Sequence, residues 1–318
     1  MVDIRFYGVR GSHPVADSRS VRYGGNTSCV EIVKTNRQGI RVPIIVDAGS
    51  GLIKLGYQLA GKILAGEYSS AFPILFTHLH FDHTEGFYFF SPNFLPCVTL
   101  YMMGMKTLKQ HVGTVLQQNM LQPIFPIEYN ELKSRRKHIV LEDGRVFYLS
   151  QSGRPVLRSE DPLFEVRVLR AFAPSHPRQG ALYYRITDPG DGSSIACIWD
   201  IESHIGGDVR VIKFVKDASL MIHDTQYTDE EYTGRESPVQ GFGHSSYSMA
   251  LDNAQQAGVK NLVAFHYNPR HSDAFLDRVA ERYPELIMAR EGLSISLDKG
   301  AVVKQEYLSQ GFAPEEAL

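Results

Sequence analysis

With 318 residues, 43% apolar and 21% charged, the chain has an ordinary soluble globular composition and can bury a large core as one α/β domain or two smaller ones. A formal charge of −2 argues against a surface built throughout for nucleic acid, and the basic run Lys133-Ser134-Arg135-Arg136-Lys137 reads as the solvated face of a helix. Cys29, Cys97 and Cys197 are scattered and lack CxxC spacing, which argues against a disulfide framework or a cysteine zinc site and suits a reducing cytoplasm.

The first residues, Met1 to Phe6, alternate apolar and polar side chains like an edge strand. No apolar leader or cleavage pattern precedes them, so the expectation is a mature chain that begins here, with no membrane partner. Val30 to Val33 and Val42 to Val46 read as strands joined by the turn Asn36-Arg37-Gln38-Gly39. A Gly-rich turn, Asp47-Ala48-Gly49-Ser50-Gly51, then leads into a helical stretch from Leu52 to Ala65. A second strand-helix step passes through Ile74 to His83.

From Glu85 to Lys137 the pattern turns aromatic and methionine-rich, broken by Pro92, Pro96, Pro123 and Pro126. It reads as an insertion or lid over about 86–137 with one or two helices near the site, although many of its aromatics suit a plain core. Strands resume at Arg145 to Leu149, Phe164 to Arg170, Ala181 to Ile186 and Ser194 to Trp199. This alternation of strands and helices predicts sheets covered by helices, an α/β (α+β) arrangement.

The chemistry concentrates in Thr77-His78-Leu79-His80-Phe81-Asp82-His83, at the C-terminal end of the apolar run Phe72 to Phe76. Imidazole and carboxylate donors so close together suit zinc, manganese or iron, and their number implies more than one ion. Three later residues end strand-like runs in the same manner: His176 after Val166 to Ala173, Asp200 after Ser194 to Trp199, and His266 after Asn261 to Phe265. Each alone could be a cap or turn residue. Together they complete two coordination spheres, with His78, His80 and His176 around one ion, Asp82, His83 and His266 around the other, and Asp200 bridging.

The HxHxDH motif at His78 to His83, followed in order by His176, Asp200 and His266, resembles the ligand series of metallo-β-lactamase-fold hydrolases. That resemblance implies a four-layer αββα sandwich over a single domain, residues 1–318, with a dinuclear site at one edge between the sheets. Asp47 resembles the acidic residue that orients a ligand histidine in this superfamily; a turn-forming Asp is the alternative. Gly8 to Ser12 and Tyr23 to Ser28, which includes Asn26, resemble the N-terminal region of the ribonuclease Z and phosphoribosyl cyclic phosphodiesterase branch.

Gly243-His244-Ser245-Ser246 is similar to the His-Ser-Thr segment of ribonuclease Z, which implies a catalytic His244 beside a helix start where Ser245 and Ser246 could cradle a phosphate. Capping alone would also explain either serine. The acidic partner of that histidine falls on Asp224, where the family usually has Glu, with His223 as a competing candidate. Arg270, after the last ligand, matches an arginine that could meet a phosphate, or is a surface loop residue.

The resemblance implies that two divalent ions, zinc first with manganese or iron as alternatives, lower the pKa of a shared water from about 15.7 toward neutrality for attack at phosphorus. Asp82 would orient that nucleophile and His244 would protonate the leaving oxygen. The expected function is therefore a dinuclear metal-dependent phosphodiesterase. With no Gly-rich basic arm, a small or cyclic phosphodiester is the expected substrate, large nucleic acid is disfavoured, and a homodimer is compatible. The rival readings are a carboxyl-ester, thioester or lactone hydrolase on the same metals, and a non-enzymatic metal-binding scaffold.

Overall fold

The computed structural model describes residues 1–106, 110–171, 180–204, 206–234 and 239–308. Its strands are β1 (Val2–Gly8), β2 (Cys29–Thr35), β3 (Arg41–Val46), β4 (Ala71–Leu75), β5 (Thr99–Gly104), β6 (Arg135–Val140), β7 (Val146–Leu149) and β8 (Pro155–Val156), then β9 (Phe164–Ala171), β10 (Ala181–Thr187), β11 (Ser194–Ile198), β12 (Leu220–Asp224), β13 (Leu262–Phe265), β14 (Leu286–Met288), β15 (Leu293–Asp298) and β16 (Ala301–Tyr307). The helices are α1 (Gly51–Leu64), α2 (Val112–Asn119), α3 (Val209–Val215), α4 (Asp229–Tyr232), α5 (Tyr247–Ala257) and α6 (Asp273–Arg282).

The strands form two eight-stranded mixed sheets, ordered β16-β15-β1-β2-β3-β4-β5-β6 and β14-β13-β12-β11-β10-β9-β7-β8. Period-two alternation sends each strand's side chains to two different layers. Val30, Ile32, Val42, Ile44 and Val46 enter the core shared with the second sheet, which includes Val166, Tyr184, Ile195 and Phe265. Cys29, Val33 and Ile45 point the other way, into a second cluster with Leu52, Leu55 and Leu59 of α1 and Leu116 of α2. Residues of α3, α5 and α6 pack against the far face of the second sheet. The result is an αββα sandwich.

Strand β10 sends hydrogen bonds across to the first sheet close to one rim. The Tyr184 hydroxyl donates to the Phe76 carbonyl at 2.6 Å, and the Leu182 amide to the Thr77 carbonyl at 2.8 Å. Strands β3 to β6 run parallel in the first sheet and β11 to β14 in the second, so their C-terminal ends gather in two rows. Crevices beyond such ends are where open parallel sheets place ligands.

Three local expectations change. Met1 to Phe6 does not lie at an edge: β1 sits between β15 and β2. Its polar Arg5 is buried as well, standing directly across from Glu31 on β2 and bonding the Tyr68 hydroxyl at 2.8 Å, while Asp3 is half-buried. The basic run is not a helix face but opens β6, the edge strand of the first sheet, where exposed charge discourages pairing with another chain. Within 86–137, α2 is a helix, whereas β5 and β6 extend the first sheet, so much of that segment is core rather than cover. No helix among the described residues is long and apolar enough to cross a membrane.

Glu31 is fully buried, and its carboxylate lies 3.4 Å from the Arg5 guanidinium. Glu31→Ala leaves that cation without its main counter-charge and is expected to cost about 3 kcal/mol of stability in urea unfolding. Pairing Glu31→Leu with Arg5→Met is expected to recover most of the loss.

Candidate metal centre

Strand β4 stops at Leu75, and the next residues turn along the rim. The amide and hydroxyl of Thr77 both donate to the Asp47 carboxylate at 2.8 Å. A short 3-10 turn over Phe81–His83 then folds Asp82 and His83 back toward the inter-sheet space. Asp47 follows β3, Asp200 follows β11 and His266 follows β13. All three adopt left-handed backbone, with φ of 62°, 56° and 64°. Asp and His tolerate this region better than most residues, and three such turns in one place mark a built site.

The convergence is tight. The His83 Nε2 lies 3.2 Å from carboxylate oxygens of both Asp82 and Asp200. The His266 Nε2 lies 3.2 Å from Asp200 and 3.5 Å from Asp82, and the His78 Nε2 lies 3.7 Å from Asp200. Three overlapping donor sets result: His78, His83 and Asp200; Asp82, His83 and His266; and Asp200, His244 and His266, each with ligand atoms within 4.8 Å of one another. Asp200 is thus shared between the His78 side and the His266 side.

These residues suit a metal by an observation independent of motif. The Nε2 atoms of His83 and His266 are buried and have no hydrogen-bond partner among the described residues, although each faces two carboxylates. Nitrogens and carboxylates aimed at one space, rather than at each other, leave room for a cation. The charge balance agrees. Burial alone would raise the Asp82 carboxyl, but His83 and His266 beside it hold it well below the usual range. Burial likewise opposes a charged His83, yet Asp82, Asp200 and Asp47 push its pKa well above the usual value. Without a metal, a proton on His83 would supply the positive charge that a divalent ion carries in its place.

Asp47 anchors the arrangement. Besides Thr77, it accepts from His83 Nδ1 at 2.7 Å and from the Trp199 indole at 2.7 Å. The first contact fixes the His83 tautomer, with Nε2 left as the ligand atom. The second ties the end of β11 to the first sheet across 152 residues of sequence.

No family model matches the chain. Ribonuclease Z of Sulfurisphaera tokodaii is 25% identical over 224 residues, 63% of this chain and 71% of that protein. Among solved structures, the metallo-β-lactamase-fold protein YhfI of Bacillus subtilis superposes with a TM-score of 0.59 at 17% identity, covering 92% of this chain and 98% of that one. A diphosphatase of the PhnP family superposes at 0.62 with 12% identity, covering 94% and 98%. This chain has the metallo-β-lactamase fold. Its sequence likeness runs to ribonuclease Z.

The ligand series expected from the sequence is filled unevenly among the described residues. His78, Asp82, His83, Asp200 and His266 meet at the rim of the sandwich. His80 is exposed, with its ring 4.4 Å from that of His78 and outside the three close sets. His176 lies outside the described residues.

On the second sheet, His244 Nδ1 meets the Asp224 carboxylate at 2.8 Å, and the His244 ring stacks on His266 at 5.1 Å. The same carboxylate accepts from the Asp200 amide at 2.9 Å. His223 faces away, bonding the Asp224 carbonyl and the Asn253 side chain.

The expected substrate contacts fare differently. The Ser245 hydroxyl is buried and donates to the Ile201 carbonyl, while Ser246 is buried and caps α5. Both hydroxyls therefore serve the fold, because capping an amide-rich helix start and closing a loop already use them. Asn26 bonds Glu291 and Ser50 through its amide group. Arg270 is exposed on the turn beyond His266.

Sequence reasoning passed over Trp199, Thr77 and the Ser12 amide, which donates to Asp82 at 2.8 Å. None carries a metal-ligand signature, and only the fold brings them close.

Asp47→Asn replaces an acceptor for four donor groups with an amide that can accept on one side only. It is expected to weaken metal binding by roughly 10- to 100-fold in chelator competition while the chain stays folded. Stripping metal with a chelator is expected to lower the thermal midpoint, and restoring the ion should reverse the change.

Proposed function

We propose that this metal-dependent hydrolase is a phosphodiesterase for a small or cyclic phosphodiester. In this reading His78, His80, Asp82, His83, His176, Asp200 and His266 hold two divalent ions, with zinc the first choice. When bound, the ions would polarise a phosphoryl oxygen and bring the pKa of a water toward neutrality.

The observation that carries the reading is the His244-Asp224 pair beside the ligand cluster, joined at 2.8 Å. Asp224 holds the Nδ1 proton, so Nε2 is the atom left to carry a mobile one. A thiolate, with a pKa near 8.5, departs readily without protonation, whereas an alkoxide from a sugar needs a proton as it leaves. A buried imidazole oriented by a carboxylate fits the second task. The likeness to ribonuclease Z supports the same bond class.

Asp82, fixed by the Ser12 amide, orients the attacking water. The water oxygen bonds phosphorus, the ester P–O bond breaks, His244 gives its Nε2 proton to the departing oxygen, and the water's proton passes to solvent. Arg270, exposed just beyond His266, is available to a phosphate oxygen. A net charge of −2 and the absence of a Gly-rich basic arm favour a small substrate over a folded RNA.

The test combines metal analysis with assays on bis-para-nitrophenyl phosphate, a 2′,3′-cyclic nucleotide and a thioester. Metal-dependent turnover of the phosphodiesters is expected, and turnover of the thioester alone would refute the proposal. His244→Ala is expected to retain metal and to lose roughly 100- to 1,000-fold in kcat on the cyclic nucleotide. Metal loss in that variant would make His244 a ligand instead.

A further inference from the structure

Glu202 lies two residues after Asp200, half-buried at the rim. Its Oε1 accepts from the Gly241 amide at 2.7 Å and from the Tyr232 hydroxyl at 2.7 Å, and its Oε2 accepts from the Gly243 amide at 2.9 Å. Gly241 and Gly243 both have left-handed backbone, with φ of 84° and 88°, immediately before His244. A Gly-Phe-Gly approach has wide conformational freedom, so what holds it must come from elsewhere.

Two further bonds join the same loops below this clamp. The Ser203 amide donates to the Ser245 hydroxyl at 3.0 Å, and that hydroxyl donates to the Ile201 carbonyl at 2.7 Å. The turn that carries Asp200 and the turn that carries His244 therefore move as one.

We infer that Glu202 is a positioning residue, locking the proton-donating ring of His244 at a set distance from the metal-ligating end of β11. The inference rests on the phosphodiesterase reading above. It makes a specific claim: Glu202 matters in proportion to how much the leaving oxygen needs a proton.

Gln at this position keeps the shape but not the chemistry. With its oxygen toward Gly241, the amide NH2 opposes the Gly243 N–H; flipped, it opposes Gly241 instead. One glycine amide loses its acceptor in either arrangement.

The experiment compares Glu202→Gln with the unmodified enzyme on two phosphodiesters, with metal content measured in parallel. Bis-para-nitrophenyl phosphate releases a phenolate that needs little help, and a 2′,3′-cyclic nucleotide releases a sugar alkoxide. Glu202→Gln is expected to lower kcat on the cyclic nucleotide by roughly 10- to 100-fold, with KM and metal content unchanged, and on bis-para-nitrophenyl phosphate by less than about 3-fold. Equal slowing on both substrates, or loss of metal, overturns the inference.

Tyr232→Phe removes one of the three bonds and leaves the carboxylate, so it carries the test if Glu202→Gln does not fold. The same selective slowing, about 3-fold, is then expected, and no selectivity overturns the inference. His244→Ala run alongside separates the two claims. If it slows both substrates equally, the proton-donor reading has failed; if it is selective and Glu202→Gln is not, only the role of Glu202 has.

Discussion

Four carboxylates, Asp47, Asp82, Asp200 and Asp224, meet at one rim of the sandwich, each at most 6% exposed. An isolated buried carboxylate costs several kcal/mol, so every one must be matched by donors or by a cation. Two are ringed by several protein donors each. Asp47 takes Thr77, His83 and Trp199, and Asp224 takes His244 with the amides of Asp200, Gln226 and Ser245. Asp82, which also accepts from the Ser12 amide, and Asp200 turn carboxylate oxygens toward the ring nitrogens of His83 and His266. Carboxylates and imidazole nitrogens converging on one space are what suit the rim to a divalent ion.

The sandwich meets this demand through its topology. Parallel strands β3 and β4 in one sheet and β11 to β13 in the other end at the same rim, and left-handed turns at Asp47, Asp200 and His266 swing the next side chain inward. The two internally satisfied carboxylates then act as struts. Asp47 ties the first sheet to Trp199 of the second, and Asp224 ties the Asp200 turn to the His244 turn. The histidine-aspartate cluster and the His244-Asp224 pair thereby share one frame.

The motif residues were legible because metal ligation imposes short, recognisable spacing at strand ends: His78 to His83 within one turn, and Asp200 and His266 each closing an apolar run. Helix α1 was legible from its periodicity and the Gly-rich turn before it, and the start of α5 from the segment at His244. The polar positions of β1 misled because Arg5 and Glu31 are partners across strands, and a pair buried together reads in one dimension like an exposed face. Ser245 and Ser246 looked open to phosphate because a cap and a ligand contact use the same hydroxyl, and only the positions of Ile201 and Met249 distinguish them.

The chain by itself determined which side chains could ligate, that they would stand at strand ends, and that a hydrolytic metal site of the metallo-β-lactamase kind was the natural reading. Tertiary structure decided which carboxylates face the metal space and which are consumed as struts, that His244 pairs with Asp224 rather than His223, and that Glu202 grips the approach to His244. The reason is range. Ligand chemistry is written in neighbouring residues, whereas the bonds from Trp199 to Asp47 and from Gly243 to Glu202 join positions 152 and 41 residues apart and exist only once both sheets have closed.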